Sequence, residues 1–353
     1  MQWDLYCRVV DNFGDVGVAW RLAADLAARG ESVRLAVDDA SALAWLAPRG
    51  AAGVAVVDWH APPSLSPDVV VELFGAGRPA SAWRAQARAP VLVNLEHLSA
   101  EAYVERSHGL PSPTRRAGEP PSTTWFFYPG FSDATGGLLR EPGLLDERER
   151  FGRGDDWLGS LGTASRPGER RVSLFCYRND AIGALLDALA RAPTLLLLTP
   201  GPATEQVEAA LGRGLVRGAL RALRLPFLAQ SDFDRLLWSC DLNFVRGEDS
   251  FVRAIWAGAP FVWQPYVQDD GAHAVKLAAF LDLFLAGAPA ALAATLGQVF
   301  RRWNGLADLG APALPLDDAA AAGWHAHCLR WRDALAARDD LTTRLRRFVA
   351  TKR

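Results

Sequence analysis

Segments typical of buried strands alternate with segments of helical periodicity along this chain, and the alternation starts twice. The first series predicts a helix at residues 18–29 and strands at 3–10, 33–37, 53–57, 69–73 and 91–95. The second series predicts helices at 181–192 and 204–211 and strands at 171–177, 193–198, 223–228, 242–245 and 261–263. Because strands joined through helices pair in parallel and need cover on both faces, this pattern predicts an α/β protein with doubly wound sheets.

The length and the break between the two series predict two domains. A chain of 353 residues has room for two domains of roughly 100–200 residues each. A segment rich in Gly, Asp and Arg at 152–170 separates the series and is typical of a linker. We therefore predict one domain at 1–165 and a second at 166–333. Doubly wound domains bind ligands in a cleft at the carboxyl ends of their strands, so candidate residues are sought there.

The charge balance and the cysteines exclude several classes of protein. Proteins that bind the nucleic-acid backbone need a basic excess, whereas this chain has 38 basic and 40 acidic residues. Its four cysteines form no C-x-x-C pair, so neither zinc nor disulfides are expected. No apolar stretch approaches the ~20 residues that span a bilayer, and the first residues lack the pattern of a signal peptide. We expect a cytoplasmic protein without a membrane or nucleic-acid partner.

A loop with two carboxylates follows the first predicted strand, at residues 11–17. Asp11 and Asp15 stand four residues apart on a turn that contains glycine, so both can point towards a ligand. Alternatively, Asp11 stabilises the turn and Asp15 caps the following helix. The loop has neither the G-x-G-x-x-G fingerprint of NAD-binding domains nor the lysine of a P-loop.

A second loop follows the strand at 242–245 and opens a helix. We expect Asp249 or Ser250 to be the N-cap of that helix, where exposed backbone N–H groups and the helix dipole attract anions. Arg246 adds a planar, bidentate donor for a phosphate. Glu248 would repel a phosphate but could accept hydrogen bonds from sugar hydroxyls. The alternative is an ordinary capped helix with Glu248 in solvent.

Aromatic residues at two further strand ends are candidates for binding. Tyr266 could donate to a phosphate, and Phe175 and Tyr177 could stack on a base or simply pack in a core. His273 is a possible base, although a single histidine near a helix start is more often structural. The paired aspartates of this chain lack D-x-D spacing, so no metal site is expected.

Blocks of sequence spread over most of the chain point to a known family. They lie at 7–17 with 20–22, at 94–101, at 128–131 with 135–139, at 241–253, and at 268–273 with 276–277. In combination they resemble the elongation factor P arginine rhamnosyltransferases. The resemblance implies a GT-B fold, with two facing Rossmann-like domains and a final helix, from about 334, that crosses back to the N-terminal domain. It also implies transfer of rhamnose from dTDP-β-L-rhamnose to an arginine of bacterial elongation factor P, with inversion and without metal or another cofactor.

The same resemblance implies roles for individual residues. The catalytic acids would be Asp11, Asp15 and Glu248, with Asp15 as the base. The residues that bind the donor would be Asn12, Phe13, Gly14, Tyr177, Phe227, Gln230, Phe233, Arg246, Asp249, Ser250 and Tyr266. Two alternatives remain open: an epimerase acting on a sugar nucleotide with a similar two-domain fold, and a protein that binds a translation factor without catalysis.

Overall fold

Each of two separate units of the chain is built on its own twisted sheet. The computed structural model describes residues 1–10, 13–79, 89–116, 121–162, 164–268, 271–307 and 314–353. The first unit comprises Met1–Pro142 and Ala336–Arg353, and the second comprises Gly143–Leu335. None of the described helices is both long and apolar enough to cross a bilayer.

The first unit contains a sheet of seven strands in the order β3-β2-β1-β4-β5-β7-β6. Its strands are β1 (Gln2–Cys7), β2 (Ser32–Val37), β3 (Val54–Asp58), β4 (Val69–Leu73), β5 (Val91–Leu95), β6 (Pro111–Thr114) and β7 (Ser122–Phe127). Its first helices are α1 (Gly14–Ala28), α2 (Leu43–Leu46) and α3 (Tyr103–Ser107). All neighbouring strands are parallel except β6 and β7. Every residue of β4 is buried, as expected for a parallel strand that is covered on both faces.

The second unit contains a sheet of six strands in the order β10-β11-β9-β8-β12-β13. Its helices are α4 (Leu144–Phe151), α5 (Asp155–Ser160), α6 (Ile182–Leu189), α7 (Pro202–Leu211), α8 (Gln230–Ser239), α9 (Asp249–Ala257), α10 (Ala272–Phe284), α11 (Ala290–Trp303) and α12 (Asp318–Ala336). Its strands are β8 (Arg170–Leu174), β9 (Thr194–Leu198), β10 (Val216–Arg217), β11 (Leu220–Arg224), β12 (Leu242–Arg246) and β13 (Phe261–Gln264). Only the short pair β10 and β11 is antiparallel among the described strands of this sheet.

The segment at 152–170 belongs to the second unit rather than forming a linker. It contains α5, whose Leu158 is buried in one cluster with Leu195, Leu197 and Leu236. The side chain of Arg171 also binds the carbonyl oxygen of Arg153 at 2.8 Å. The division between the units therefore falls after Pro142 and not near residue 165. The polar composition of 152–170 hid this helix, in which Leu158 is buried and Trp157 is partly buried against the same cluster.

The last helix, α13 (Leu341–Lys352), packs in the core of the first unit. Leu341, Leu345 and Val349 recur on its buried face and join the cluster that includes Leu22 of α1. The helix begins at a proper N-cap, since the side chain of Asp340 accepts a hydrogen bond from the N–H of Thr343 at 2.9 Å. The chain thus returns to the first unit after completing the second.

Candidate active site

Asp15 lies at the carboxyl end of β1, in the first turn of α1. Its side chain is buried, with a relative exposure of 6%, and its Oδ2 accepts a hydrogen bond from the N–H of Val10 at 2.8 Å. A negative side chain in this position is stabilised by the helix dipole. The helix begins at Gly14, four residues earlier than the apolar spacing predicted, so Asp15 is inside the helix and is not its N-cap. The capping alternative was therefore wrong for Asp15.

The other residues of this loop are only partly described. Asp11 and Asn12 lie outside the described residues. Phe13 is the N-cap residue of α1, and its ring meets Trp45 edge-on with ring centroids 4.9 Å apart. Gly14 is the first residue of the helix. The described residues next to this loop are held by the contact of the Phe13 ring with Trp45 and by the hydrogen bond from Val10 to Asp15.

A third carboxylate, which the sequence analysis gave no role, lies at the same edge of the first sheet. Glu96 directly follows β5 and accepts a hydrogen bond from Nδ2 of Asn94 at 2.7 Å. Burial raises the pKa of Glu96 above the usual range of a glutamate. The rings of Tyr103 and Tyr128 lie edge-to-face with centroids 5.8 Å apart, and burial together with the Glu96 carboxylate raises the pKa of Tyr128. An acid directly after a buried strand was the signal that could have identified this position.

In the second unit, Arg246 ends β12 and lies between two aromatic rings. Its guanidinium carbon is 4.5 Å from the ring centroid of Phe175 and 4.5 Å from that of Tyr177. The side chain is largely buried, with a relative exposure of 7%. Cation–π contacts with both rings hold the guanidinium, with its planar set of donors, at the carboxyl end of the sheet.

The neighbouring strand end brings Tyr266 to the same place. Gln264, at the end of β13, accepts a hydrogen bond through Oε1 from the N–H of Tyr177 at 3.0 Å. The rings of Tyr177 and Tyr266 meet edge-on with centroids 5.6 Å apart, and Tyr266 keeps 47% of its surface exposed. Two tyrosines and one arginine from three adjacent strands thus gather at one edge of the sheet.

The start of α9 differs from the predicted N-cap. Glu248 is the N-cap residue and makes no side-chain capping bond, and the helix begins at Asp249. The Ser250 hydroxyl turns back to the strand, accepting from the N–H of Arg246 at 3.1 Å and donating to the Arg246 carbonyl oxygen. Gly247 has a φ of +62°, a conformation that favours glycine, so the turn from β12 into α9 is tight. The expectation that Asp249 or Ser250 caps the helix was wrong, because the Ser250 hydroxyl closes the turn instead.

Helix α8 brings two of the remaining candidates to this edge. Gln230 begins α8 and donates through Nε2 to Oδ2 of Asp249 at 3.3 Å. The Phe233 ring meets the Phe175 ring with centroids 5.5 Å apart. Phe227 lies in the loop before α8 with 52% of its surface exposed. The sequence candidates in the second unit therefore collect around the ends of β8, β12 and β13 and the starts of α8 and α9.

The Cys7 thiol and the His273 ring have structural roles. Burial raises the pKa of the Cys7 thiol, and the nearby Asp15 and Asp38 carboxylates raise it further, so Cys7 stays a neutral core residue. Nδ1 of His273 accepts a hydrogen bond from the N–H of Gln268 at 3.3 Å and so closes its loop. Within the described ranges, no three His, Cys, Asp or Glu side chains form a group that could hold a metal ion.

A family model described as elongation factor P rhamnosyltransferase EarP matches residues 3–350. The chain belongs to this family. Protein-arginine rhamnosyltransferases of Pseudomonas aeruginosa and Pseudomonas putida are each 44% identical to it. The alignments cover 99% of this chain and 98% of the first relative, and 98% of both chains for the second. The family suggested by the sequence blocks is thus confirmed.

Solved structures of glycosyltransferases match the fold of this chain. The structure described as the basis for EarP-mediated arginine glycosylation of elongation factor EF-P matches with a TM-score of 0.67 and 34% identity over 99% of both chains. The glycosyltransferase VinC in complex with dTDP matches with a TM-score of 0.53 and 14% identity over the full length of both chains, which shows the fold alone. The GT-B fold, with two α/β units whose sheets are largely parallel, is confirmed.

Proposed function

We propose that this chain transfers rhamnose from dTDP-β-L-rhamnose to an arginine side chain of elongation factor P, in the cytoplasm, with inversion at the anomeric carbon. The observation that carries the proposal is the stacked Arg246 beside the start of α9, in a family whose relatives are named protein-arginine rhamnosyltransferases. Those names favour a transferase over the two alternatives, an epimerase and a protein that only binds. The proposal does not require a metal or another cofactor.

The second unit supplies positive charge for the diphosphate of the donor. The planar guanidinium of Arg246 presents several N–H donors, and the backbone N–H groups at the start of α9 face an incoming anion. Tyr266 adds a hydroxyl from the neighbouring strand end. Fixed donors of this kind stabilise the charge that develops on the leaving dTDP. In other transferases a divalent metal stabilises this charge. Ser250 closes the turn that carries these groups, and Asp249 accepts a hydrogen bond from Gln230 of α8.

The aromatic residues around this turn suit a thymine nucleotide. Tyr177, Phe227 and Phe233 offer ring surface for stacking, and Gln230 offers an amide that can both donate and accept. Glu248 is half-buried at the N-cap of α9, and we assign it the sugar hydroxyls, because a carboxylate accepts hydrogen bonds but repels phosphate. We also propose the loop residues Asn12, Phe13 and Gly14 as donor contacts.

The acidic loop supplies the chemistry for the acceptor. An arginine guanidinium has a pKa above ~12 and delocalised lone pairs, so it is a poor nucleophile until it is oriented and begins to lose a proton. Asp11 would hold the guanidinium, while Asp15 accepts the proton as the C–N bond forms. The bond between the anomeric carbon and the phosphate oxygen breaks, and its electron pair leaves with dTDP. Attack on the face opposite the leaving group inverts the configuration.

Intact-protein mass spectrometry tests the proposal. The chain is incubated with dTDP-L-rhamnose and elongation factor P, and the expected product is elongation factor P carrying one deoxyhexose on one arginine. An epimerase would consume the sugar nucleotide without elongation factor P, and a pure binding protein would bind elongation factor P without adding mass. Elongation factor P with the modified arginine changed to lysine is the control. NMR of the modified arginine then gives the anomeric configuration.

A further inference from the structure

A buried ion pair joins α8 to α9 next to the proposed donor pocket. Nε and Nη2 of Arg253 donate to Oδ1 and Oδ2 of Asp234, at 2.9 Å and 2.8 Å. The relative exposure is 4% for Asp234 and 2% for Arg253. Two parallel hydrogen bonds between a guanidinium and a carboxylate fix the relative orientation of both groups as well as their distance.

A second contact joins the same two helices, between Gln230 of α8 and Asp249 of α9. Gln230 precedes Asp234 by four residues on α8, and Asp249 precedes Arg253 by four residues on α9. Residues four apart lie on the same face of a helix, about one turn from each other. The contact between Gln230 and Asp249, at 3.3 Å, therefore lies one turn from the ion pair on each helix. A slip of one helix along the other would break both contacts together.

The two helices carry four of the eight proposed donor-binding residues of the second unit. Phe233, beside Asp234 in α8, packs against Phe175, one of the two rings that hold Arg246. Ser250, in the first turn of α9, closes the turn on Arg246. The relative position of α8 and α9 therefore decides where the base-facing rings stand with respect to the phosphate-facing guanidinium.

We propose that Asp234 and Arg253 are positioning residues that lock α8 against α9 and so hold the donor pocket in its binding geometry. The inference rests on the proposed donor site of the second unit. The pair touches neither substrate, and it acts through Gln230, Phe233 and the turn at Ser250. It should govern binding of the donor and leave binding of the acceptor protein unchanged.

The first variant is Arg253→Lys, which keeps the charge but loses the planar two-bond contact. We expect the Kd for dTDP and the KM for the sugar nucleotide to rise by about tenfold, because small displacements of binding groups are costly. The KM for elongation factor P should stay within about twofold of the parent value. Without ligand, amide hydrogen exchange at residues 246–252 should become faster than in the parent, because the start of α9 is held less firmly.

A matched control distinguishes positioning from general stability. Arg221 binds Glu169 through Nε–Oε1 and Nη2–Oε2 contacts of 2.6 Å each, at the amino ends of β11 and β8, the opposite edge of the same sheet. Arg221→Lys removes the same geometry there and should leave the Kd for dTDP and the exchange at 246–252 unchanged. The double variant Asp234→Leu with Arg253→Met removes both charges together, which buried pairs often tolerate in folding. It should fold and still lose affinity for dTDP.

The outcomes separate this inference from the proposed function. Parent-like dTDP affinity in both Arg253→Lys and the double variant would overturn the positioning role. Equal loss of affinity in Arg221→Lys would overturn it as well, because the effect would then be general. If the parent itself fails to bind dTDP, the proposed donor is wrong. The exchange of 246–252 then decides the positioning role by itself, and exchange unchanged by Arg253→Lys would contradict it.

Discussion

The guanidinium carbon of Arg246 lies 4.5 Å from the ring centroid of Tyr177, although the two residues are far apart in the chain. They meet because β12 pairs in parallel with β8, with Phe244 beside Leu174, so that both strands end at the same edge of the sheet. The stacked ring orients the guanidinium, whereas a carboxylate partner would also neutralise its charge. A positively charged group with fixed orientation is thus available where the diphosphate is proposed to bind.

Arg246→Lys should weaken dTDP binding by about tenfold, because a lysine ammonium cannot present planar donors while stacked between two rings. Isothermal titration calorimetry measures the change. Arg178→Lys is the control, because Arg178 lies one residue beyond Tyr177 and its pair with Glu205, at 3.5 Å, is exposed. Equal affinities in the parent and Arg246→Lys would remove Arg246 from the donor site.

Asp15→Asn should lower kcat by about 10²–10⁴-fold, the usual contribution of a general base, and leave dTDP binding nearly unchanged. Asp38→Asn is a matched control, because Asp38 also holds this loop, accepting from the N–H of Val9 at 2.9 Å. If both variants lost turnover equally, the shape of the loop rather than proton transfer would explain the effect. Near-normal turnover in Asp15→Asn would make the assignment of the base wrong.

Turnover should be the same in excess EDTA and in added Mg²⁺, because Arg246, Tyr266 and the start of α9 are proposed to carry the leaving-group charge. The measurement is the initial rate of dTDP release after the protein has been dialysed against chelator. Arg246→Lys should also not be rescued by Mg²⁺. Loss of activity in EDTA that Mg²⁺ restores would contradict the proposal of metal-independent transfer.

Acid should destabilise the first unit through His108. Burial, helped by the charge of Arg344, lowers the pKa of His108 from 6.5 to about 4, and Nδ1 accepts from the N–H of Tyr128 at 3.1 Å. A histidine with a lowered pKa in the folded state binds fewer protons there, so stability is lost as the pH falls from about 6.5 towards 4. Denaturant unfolding followed across this range should show a smaller loss for His108→Asn than for the parent. An equal loss of unfolding free energy in both proteins over this pH range would contradict the prediction.

The alternation of strands and helices was enough to predict an α/β protein with doubly wound sheets, because parallel strands buried on both faces leave strongly apolar segments such as 69–71 and 195–198. It also located the candidate residues of the second unit, since Tyr177, Arg246 and Tyr266 each follow or end a predicted strand. Their meeting requires only that the strands end at one edge. The pairing of particular rings, such as Phe175 with Phe233, depends on strand order, which periodicity does not specify.

Local details escaped the sequence where a contact that spacing does not reveal replaced the expected one. The helix containing Ser250 was expected to be capped by Asp249 or Ser250, but the Ser250 hydroxyl binds the end of β12 instead. The segment around Leu158 looked like a linker, yet it packs on the second core. The ion pair between Asp234 and Arg253 joins two helices whose packing no spacing within either helix reveals. For Glu96, the signal in the sequence was an acidic residue directly after a buried strand.

The most direct test of the account is the mass of elongation factor P after incubation with dTDP-L-rhamnose and either the parent chain or Asp15→Asn. The account predicts that the parent adds one deoxyhexose to one arginine, releases one dTDP for each arginine modified, and inverts the anomeric centre. Asp15→Asn should bind dTDP but add almost no sugar in the same time. Unmodified elongation factor P with the active parent, or a sugar attached with retained configuration, would contradict the account.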